Sequence, residues 1–346
     1  MNIAIVHTLP EEAWRHFVDE HPAGNVFHTP EMFQVFECTQ DHQPELWAAT
    51  EGERILALLL PVRITLLSGV PRLFSTRDVV YGGVLCAPGP AGEEALTRLL
   101  RTYQCEAKGY TLFTELRNLS DSNVLQPILL GNDYTYEDHL NYLIDVSLHI
   151  DQVWGNIHAS ARKKIKKALD KHQLDVIEIQ DRSEVAIGYA IFQKTYVTAH
   201  VPLADCSLFE AAYDVLQPKG MVKFLLGRVD DKYVAASVAL LYKGVIYGWY
   251  RGFDRTYSAY LPNDLMVWHI LKWGAENGYR TFDFGGAGKP NERYGPRQFK
   301  AKFGGHLVNF GRSTCVHHSH LLRVSQVGYQ LFRYFLRDQG QEYNDQ

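Results

Sequence analysis

The run Gly278-Tyr279-Arg280-Thr281-Phe282-Asp283-Phe284-Gly285-Gly286 joins a helix stop to an apolar strand, and its opening has a counterpart earlier in the chain, Gly109-Tyr110-Thr111-Leu112-Phe113-Thr114. In both, glycine stands where a helix ends in the left-handed conformation, and an extended run with phenylalanine at the same offset follows. Upstream of Gly278, residues 264–277 read as an amphipathic helix, preceded by strands at 245–251, 234–241 and 222–229 about an Asp230-Asp231 turn. Upstream of Gly109 the order is the same: a helix over 92–108, then strands at 79–85, 54–62 and 46–50 about a Glu51-Gly52 turn. One matching motif arises easily by chance, whereas matching element order as well points to a duplicated α/β folding unit.

The length of 346 residues accommodates two such units, and 46% hydrophobic with 21% charged residues is ordinary for a globular chain. A formal net charge of −4 argues against a general nucleic-acid binder, although a local basic patch remains compatible with it. The first ten residues lack the basic and apolar regions of a secretory signal, and no apolar run approaches the roughly 20 residues that cross a bilayer. The expected location is the cytoplasm. The five cysteines are scattered and read as free thiols, and His317, His318 and His320 have no cysteine or carboxylate at ligand spacing, so no metal site is expected.

Thr29-Pro30-Glu31 has a capping residue followed by proline at the first helical position. Ile157, Ala161, Ile165, Ala168 and Leu169 form the apolar stripe of a helix that opens the second half. The expected domains are residues 1–148, joined by a C-terminal helix at 320–338, and residues 149–319. That tail mixes apolar residues with Arg323, Arg333 and Arg337, which suits either an interfacial membrane helix or a helix docked on the first domain.

Three motifs in the second half carry a resemblance. They are Arg162-Lys163-Lys164-Ile165-Lys166-Lys167-Ala168, the helix from Pro262 leading into Phe282-Asp283-Phe284-Gly285-Gly286, and Phe299-Lys300-Ala301-Lys302-Phe303-Gly304-Gly305. With the repeat, they resemble the FemA/FemB/FemX aminoacyltransferases and the wider GNAT-related group with a duplicated fold. The resemblance implies an α/β (α+β) chain of two tandem GNAT-like domains, each a mixed, mostly antiparallel sheet flanked by helices. It also implies transfer of an aminoacyl group from aminoacyl-tRNA to an amine of a nucleotide- or lipid-linked peptidoglycan precursor, without a metal or tightly bound cofactor. The precursor, tRNA and the inner membrane face are the implied partners. Two departures stand out: no long helical hairpin is present, and Thr198-Ala199-His200 has histidine where the family places arginine in its acceptor-binding region.

Acyl transfer to an amine needs a positioned nucleophile and stabilisation of an oxyanion. By resemblance Lys300 supplies the cation, and its replacement by alanine is expected to stop transfer while sparing the fold. Asp283 has no acidic counterpart in the first half, where Thr114 stands; it either orients the amine or caps the glycine-rich turn after it. Arg162 and Lys166 suit phosphate recognition or a solvated helix face. Thr198, His200, Tyr247, Tyr250 and Arg251 fall where the family contacts its acceptor, and the aromatic residues among them equally suit a core. Two alternatives stay open: an acyl-CoA-dependent N-acyltransferase acting on a nucleotide- or lipid-linked sugar, and a non-catalytic precursor-binding protein. Acetyl-CoA enzymes of the GNAT group cradle pyrophosphate on a glycine-bearing turn before the central helix, and residues 256–263 contain no glycine.

Overall fold

The computed structural model describes residues 2–65 and 74–325. The chain opens with β1 (Ile3–Val6), α1 (Glu11–Glu20) and α2 (Pro30–Glu37). Strands β2 (His42–Pro44), β3 (Trp47–Glu51), β4 (Arg54–Leu59), β5 (Val62–Thr65), β6 (Thr76–Gly82) and β7 (Leu85–Cys86) precede α3 (Pro90–Ala107). Next come β8 (Phe113–Asn118), α4 (Gln126–Leu130), β9 (Thr135–Glu137), β10 (Leu140–Asp145), α5 (Ile150–Asn156), α6 (Ala159–Asp170) and β11 (Asp175–Glu178). The remainder is α7 (Val185–Ala199), α8 (Cys206–Leu216), β12 (Val222–Val229), β13 (Lys232–Tyr242), β14 (Val245–Phe253), α9 (Pro262–Glu276), β15 (Thr281–Gly286), α10 (Gly295–Ala301), β16 (His306–Asn309) and β17 (Arg312–Val316).

Among the described residues two compact units result, one of residues 2–23, 41–65, 74–137 and 312–325, the other of 24–40 and 138–311. The first holds a four-stranded sheet, β1-β3-β4-β7, and a six-stranded sheet, β2-β5-β6-β8-β17-β9. The second holds one seven-stranded sheet, β11-β12-β13-β14-β15-β10-β16. The stretches β5-β6-β8-β17-β9 and β13-β14-β15-β10-β16 correspond strand for strand. Among the described residues, the only parallel neighbours in each are the strands on either side of the central helix, β6/β8 and β14/β15. The registers correspond too: Asp78 faces Thr114 as Tyr247 faces Asp283, which matches the sequence alignment of Thr114 with Asp283.

The boundaries differ from the expected 148/149 and 319/320. β10 precedes the basic helix but hydrogen-bonds to β15, so the second unit begins before it; β17 hydrogen-bonds to β8, so the chain returns to the first sheet at Arg312. Residues 24–40 join the second unit because α2 packs on α8, Glu31 pairs with Lys219 at 2.8 Å, and Phe27 lies edge-on to Tyr247. The strand expected over 54–62 is two: Pro61 has no N–H for the ladder, so β4 and β5 part into different sheets. The expected tail helix is seen over residues 319–325, where Ser325 Oγ donates to the Phe74 carbonyl at 2.6 Å in the first unit; residues 326–338 lie outside the described ones. Among the described residues no helix is long and apolar enough to cross a membrane.

Local chemistry explains the elements around the site. Thr29 accepts the Met32 N–H, with Pro30 at the first helical position of α2. In α9, Leu265, Trp268 and Leu271 face the core with Ile246, Phe282 and Phe284, and each fully enclosed aliphatic side chain there contributes about 1.5–3 kcal/mol. On α6 the stripe Ala161, Ile165 and Ala168 is buried, whereas Leu169 is exposed.

Candidate active site

The site grows from a fork in the second sheet. β14 and β15 pair only through Val245↔Thr281, Ile246↔Phe282 and Tyr247↔Asp283. Beyond that, β14 continues against β13 while the end of β15 pairs with β10. Each strand carries an extra residue near the fork: Trp249 in β14, between the pairs Ala239↔Gly248 and Val238↔Tyr250, and one in β15 between Asp283 and Gly286. Such bulges bend a strand away from its partner and recur beside active sites.

Lys300 of α10 fills the fork and is only 6% exposed. Its ammonium donates to the carbonyls of Phe284 at 2.6 Å, Gly285 at 3.0 Å and Gly286 at 2.8 Å, which uses all three of its protons. The lysine thus satisfies backbone carbonyls at the point where the ladder between β14 and β15 ends. Gly285 suits this turn because its φ of 76° lies in the left-handed region that L side chains rarely adopt. Burial, then the Arg251 guanidinium, lower the Lys300 ammonium to about 7, and Asp283 opposes them. Lys300, to which the resemblance gives the role of cation for the oxyanion, thus also holds the turn after β15.

Asp283 is 3% exposed. Its Oδ1 accepts the Gly285 N–H at 2.8 Å, the turn-capping bond anticipated from sequence. The Asn141 side chain of β10 donates to both carboxylate oxygens at 3.2 Å. Burial raises the Asp283 carboxyl above the ordinary range, while the Gly285 N–H, Asn141 and Lys300 pull it down. Arg251 stacks on Phe284 and Phe299, 4.8 and 5.2 Å from the ring centres, and burial lowers it to about 10. Its charge opposes the effect of burial on Tyr196 of α7, which pushes that phenol up to about 12. Lys302 pairs with Asp264 in the first turn of α9 at 3.8 Å.

The structure therefore brings together Lys300, Asp283 and Arg251, with Tyr247 opposite Asp283 in register. Burial, then the Asp283 charge, raise the Tyr247 phenol well above its ordinary value. Tyr250 belongs to a half-buried aromatic stack with Phe209 at 4.6 Å and Tyr196 at 5.8 Å, the core-like reading of that residue. Arg162 donates to the Gly155 carbonyl at 2.6 Å, so its guanidinium closes the end of α5, while Lys166 is exposed. Thr198 bonds back to the Lys194 carbonyl, and His200, left-handed at φ 52°, ends α7; both are exposed. Asn141, Tyr196 and Asp264 were missed. Only Asn141 left a trace, an amide between Leu140 and Tyr142 in the otherwise apolar run 140–144.

His317 and His318 bond to Thr114 Oγ1 at 2.9 Å and the Lys108 carbonyl at 2.7 Å, and among the described residues no group of three metal-binding side chains converges.

Residues 156–300 match the family model of the acetyltransferase (GNAT) domain. Among solved structures, the chain is similar to FemX at 16% identity, with a TM-score of 0.70 over 94% of this chain and 99% of that one. It is similar to L-PGS from Bacillus licheniformis at 13% identity and TM-score 0.59, covering 92% and 97% of the two chains. A tandem GNAT protein from the clavulanic acid biosynthesis pathway matches at 9% identity and TM-score 0.56, covering 91% and 99%. Among curated proteins no match was found. At these identities the likeness is one of fold, and the fold is a mixed α/β arrangement of tandem GNAT-like type.

Proposed function

We propose that the second unit is the catalytic half of an N-acyltransferase, one that moves an aminoacyl group from aminoacyl-tRNA to an amine of a nucleotide- or lipid-linked cell-wall precursor in the cytoplasm. The observation that carries this reading is the fork after Tyr247↔Asp283, with a buried carboxylate and a buried ammonium at its apex. In the reaction the amine nitrogen bonds to the ester carbonyl carbon, whose electron pair moves to oxygen. Collapse then breaks the bond to the ribose oxygen, which leaves with a proton. Asp283 orients the amine and takes its proton, a task suited to a carboxyl raised toward neutrality. Lys300 stabilises the oxyanion by exchanging its longest carbonyl bond, that to Gly285, for one to the substrate. Arg251 and Tyr247 line the approach of the acceptor, and the exposed Lys166 attracts phosphate.

A specific feature favours aminoacyl-tRNA over acyl-CoA. A pyrophosphate cradle needs free N–H groups and no negative charge at the helix start. α9 instead begins with Pro262, which lacks an N–H, has Asp264 in its first turn, and follows a stretch, 254–261, without glycine. The GNAT match keeps acyl-CoA as the second reading, with a sugar amine as acceptor. The test is to supply labelled aminoacyl-tRNA and labelled acyl-CoA separately, with cell-wall precursors, and weigh the product. A mass gain of one amino-acid residue from the tRNA pool supports the proposal; a gain of an acyl group from CoA selects the second reading. Precursor binding without product from either pool leaves a non-catalytic binder.

A further inference from the structure

In the first unit, the carboxyl ends of the parallel pair β6/β8 open into a cavity of about 260 Å³. Ligands in α/β sheets gather at such strand ends. The two halves of the repeat differ here. β6 and β8 remain paired through Gly82↔Asn118, beyond the position at which β14 and β15 separate. In the second unit Arg251, Phe284 and Lys300 occupy the fork; in the first, the space past the strand ends is walled by Val84, Leu129 and the first turn of α3. Gly92 draws that turn against the end of β7, since a Cβ there would stand 1.8 Å from the Ala87 carbonyl. This places Glu93 on the rim, near enough that its charge adds to burial in pushing the Cys86 thiol up to about 11.

The lining contains two carboxylates, Glu93 and Asp121, and no lysine or arginine. Its histidine, His21, has both ring nitrogens in hydrogen bonds, to the Cys86 carbonyl at 2.9 Å and the Ala23 N–H at 3.1 Å, an arrangement that fits a neutral ring. Phosphates and carboxylates are repelled from such a surface, while the apolar wall favours a short hydrocarbon. We propose that this cavity binds a small organic ammonium ion with a short aliphatic body, at a site separate from the Lys300 fork. The charge is met by Glu93 and Asp121, and the hydrocarbon covers Val84 and Leu129.

The test is calorimetric titration of the full chain at low salt with n-pentylammonium, and with glutarate as an anion of similar length. Saturable binding of n-pentylammonium and none of glutarate is expected. Replacing Glu93→Gln and Asp121→Asn together, both exposed positions whose loss spares the fold, is expected to weaken binding about fivefold, as two exposed ion pairs at roughly 0.5 kcal/mol each would give. A Leu125→Trp variant that melts like the wild type should lose binding by filling the space. Absence of saturable binding, equal binding of glutarate, or an unchanged affinity in the double variant overturns the assignment. Because no acyl transfer is measured, none of these outcomes bears on the proposed reaction.

Discussion

Asn141 in β10 donates its side-chain amide to both oxygens of Asp283 in β15, at 3.2 Å each, so a strand lying before the basic helix in sequence fixes the carboxylate of the fork. Asn141→Leu leaves Asp283 buried with the Gly285 N–H as its remaining hydrogen-bond donor among those described. The expected cost is about 1–3 kcal/mol of stability, measured by urea unfolding. Transfer should slow by about 10²-fold through lost alignment, and because Asp283 acts ionised, the acid limb of the rate profile should move to higher pH. A variant with an unshifted acid limb would separate Asn141 from the function of Asp283.

Lys300→Met removes the donor shared by three carbonyls of the turn 284–286. Each carbonyl left unpaired in a buried site costs about 1–3 kcal/mol, so the variant should be destabilised by at least 3 kcal/mol as well as inactive. Denaturant titration checks this. The result differs from the sequence expectation of a spared fold because the lysine turned out to be enclosed.

The pH dependence of transfer follows from the same group. Lys300 is lowered to about 7, so the ammonium that serves the oxyanion is present below that value and is lost as pH rises through it. The rate kcat/KM should therefore fall above about pH 7, and a plateau extending to pH 9 would contradict the assignment. The linkage to stability has the matching sign. The folded protein releases this proton earlier than the unfolded chain does, so the lysine's contribution to stability rises with pH between about 7 and the ordinary lysine value of 10.5.

Asp78, fully buried on β6, accepts the Tyr103 hydroxyl at 2.8 Å and faces Arg63 at 3.4 Å. Burial raises it to about 6 from 3.8, so the folded state holds a proton that the unfolded chain has given up over that interval. Its contribution to stability is therefore present below the unfolded value and lost as pH rises through about 6. Asp78→Asn should flatten this dependence, with a difference from wild type of roughly 3 kcal/mol between pH 4 and 7 in thermal or urea melts. Parallel curves for the two proteins would rule out Asp78 as the source.

The duplicated order, the left-handed stop at Gly278 (φ 75°) and the Thr29 cap were legible in the sequence because each depends on residues near one another in the chain; Gly109, expected in the same left-handed role, follows its helix without adopting it. The exchange that gives β10 to the second sheet and β17 to the first was not, since nothing in a short strand names its partner. Lys300 was found through its motif, but its three carbonyl partners depend on where α10 meets the fork. Tyr196 and Asp264 come from different helices and are related through Arg251 only once the chain is folded.

Lys166 is exposed, whereas Arg162 is tied to the Gly155 carbonyl. Lys166→Gln should leave melting unchanged and reduce the salt slope of tRNA binding by about one, the signature of one phosphate contact. An unaltered slope would return Lys166 to a solvated face.

The most direct measurement is the mass of the precursor after incubation with labelled aminoacyl-tRNA, for the wild type and for Asp283→Asn. The account predicts one added aminoacyl residue with the wild type and at least a 10²-fold slower gain with a variant that melts normally. Equal product from both proteins would place the reaction elsewhere than at the β14/β15 fork.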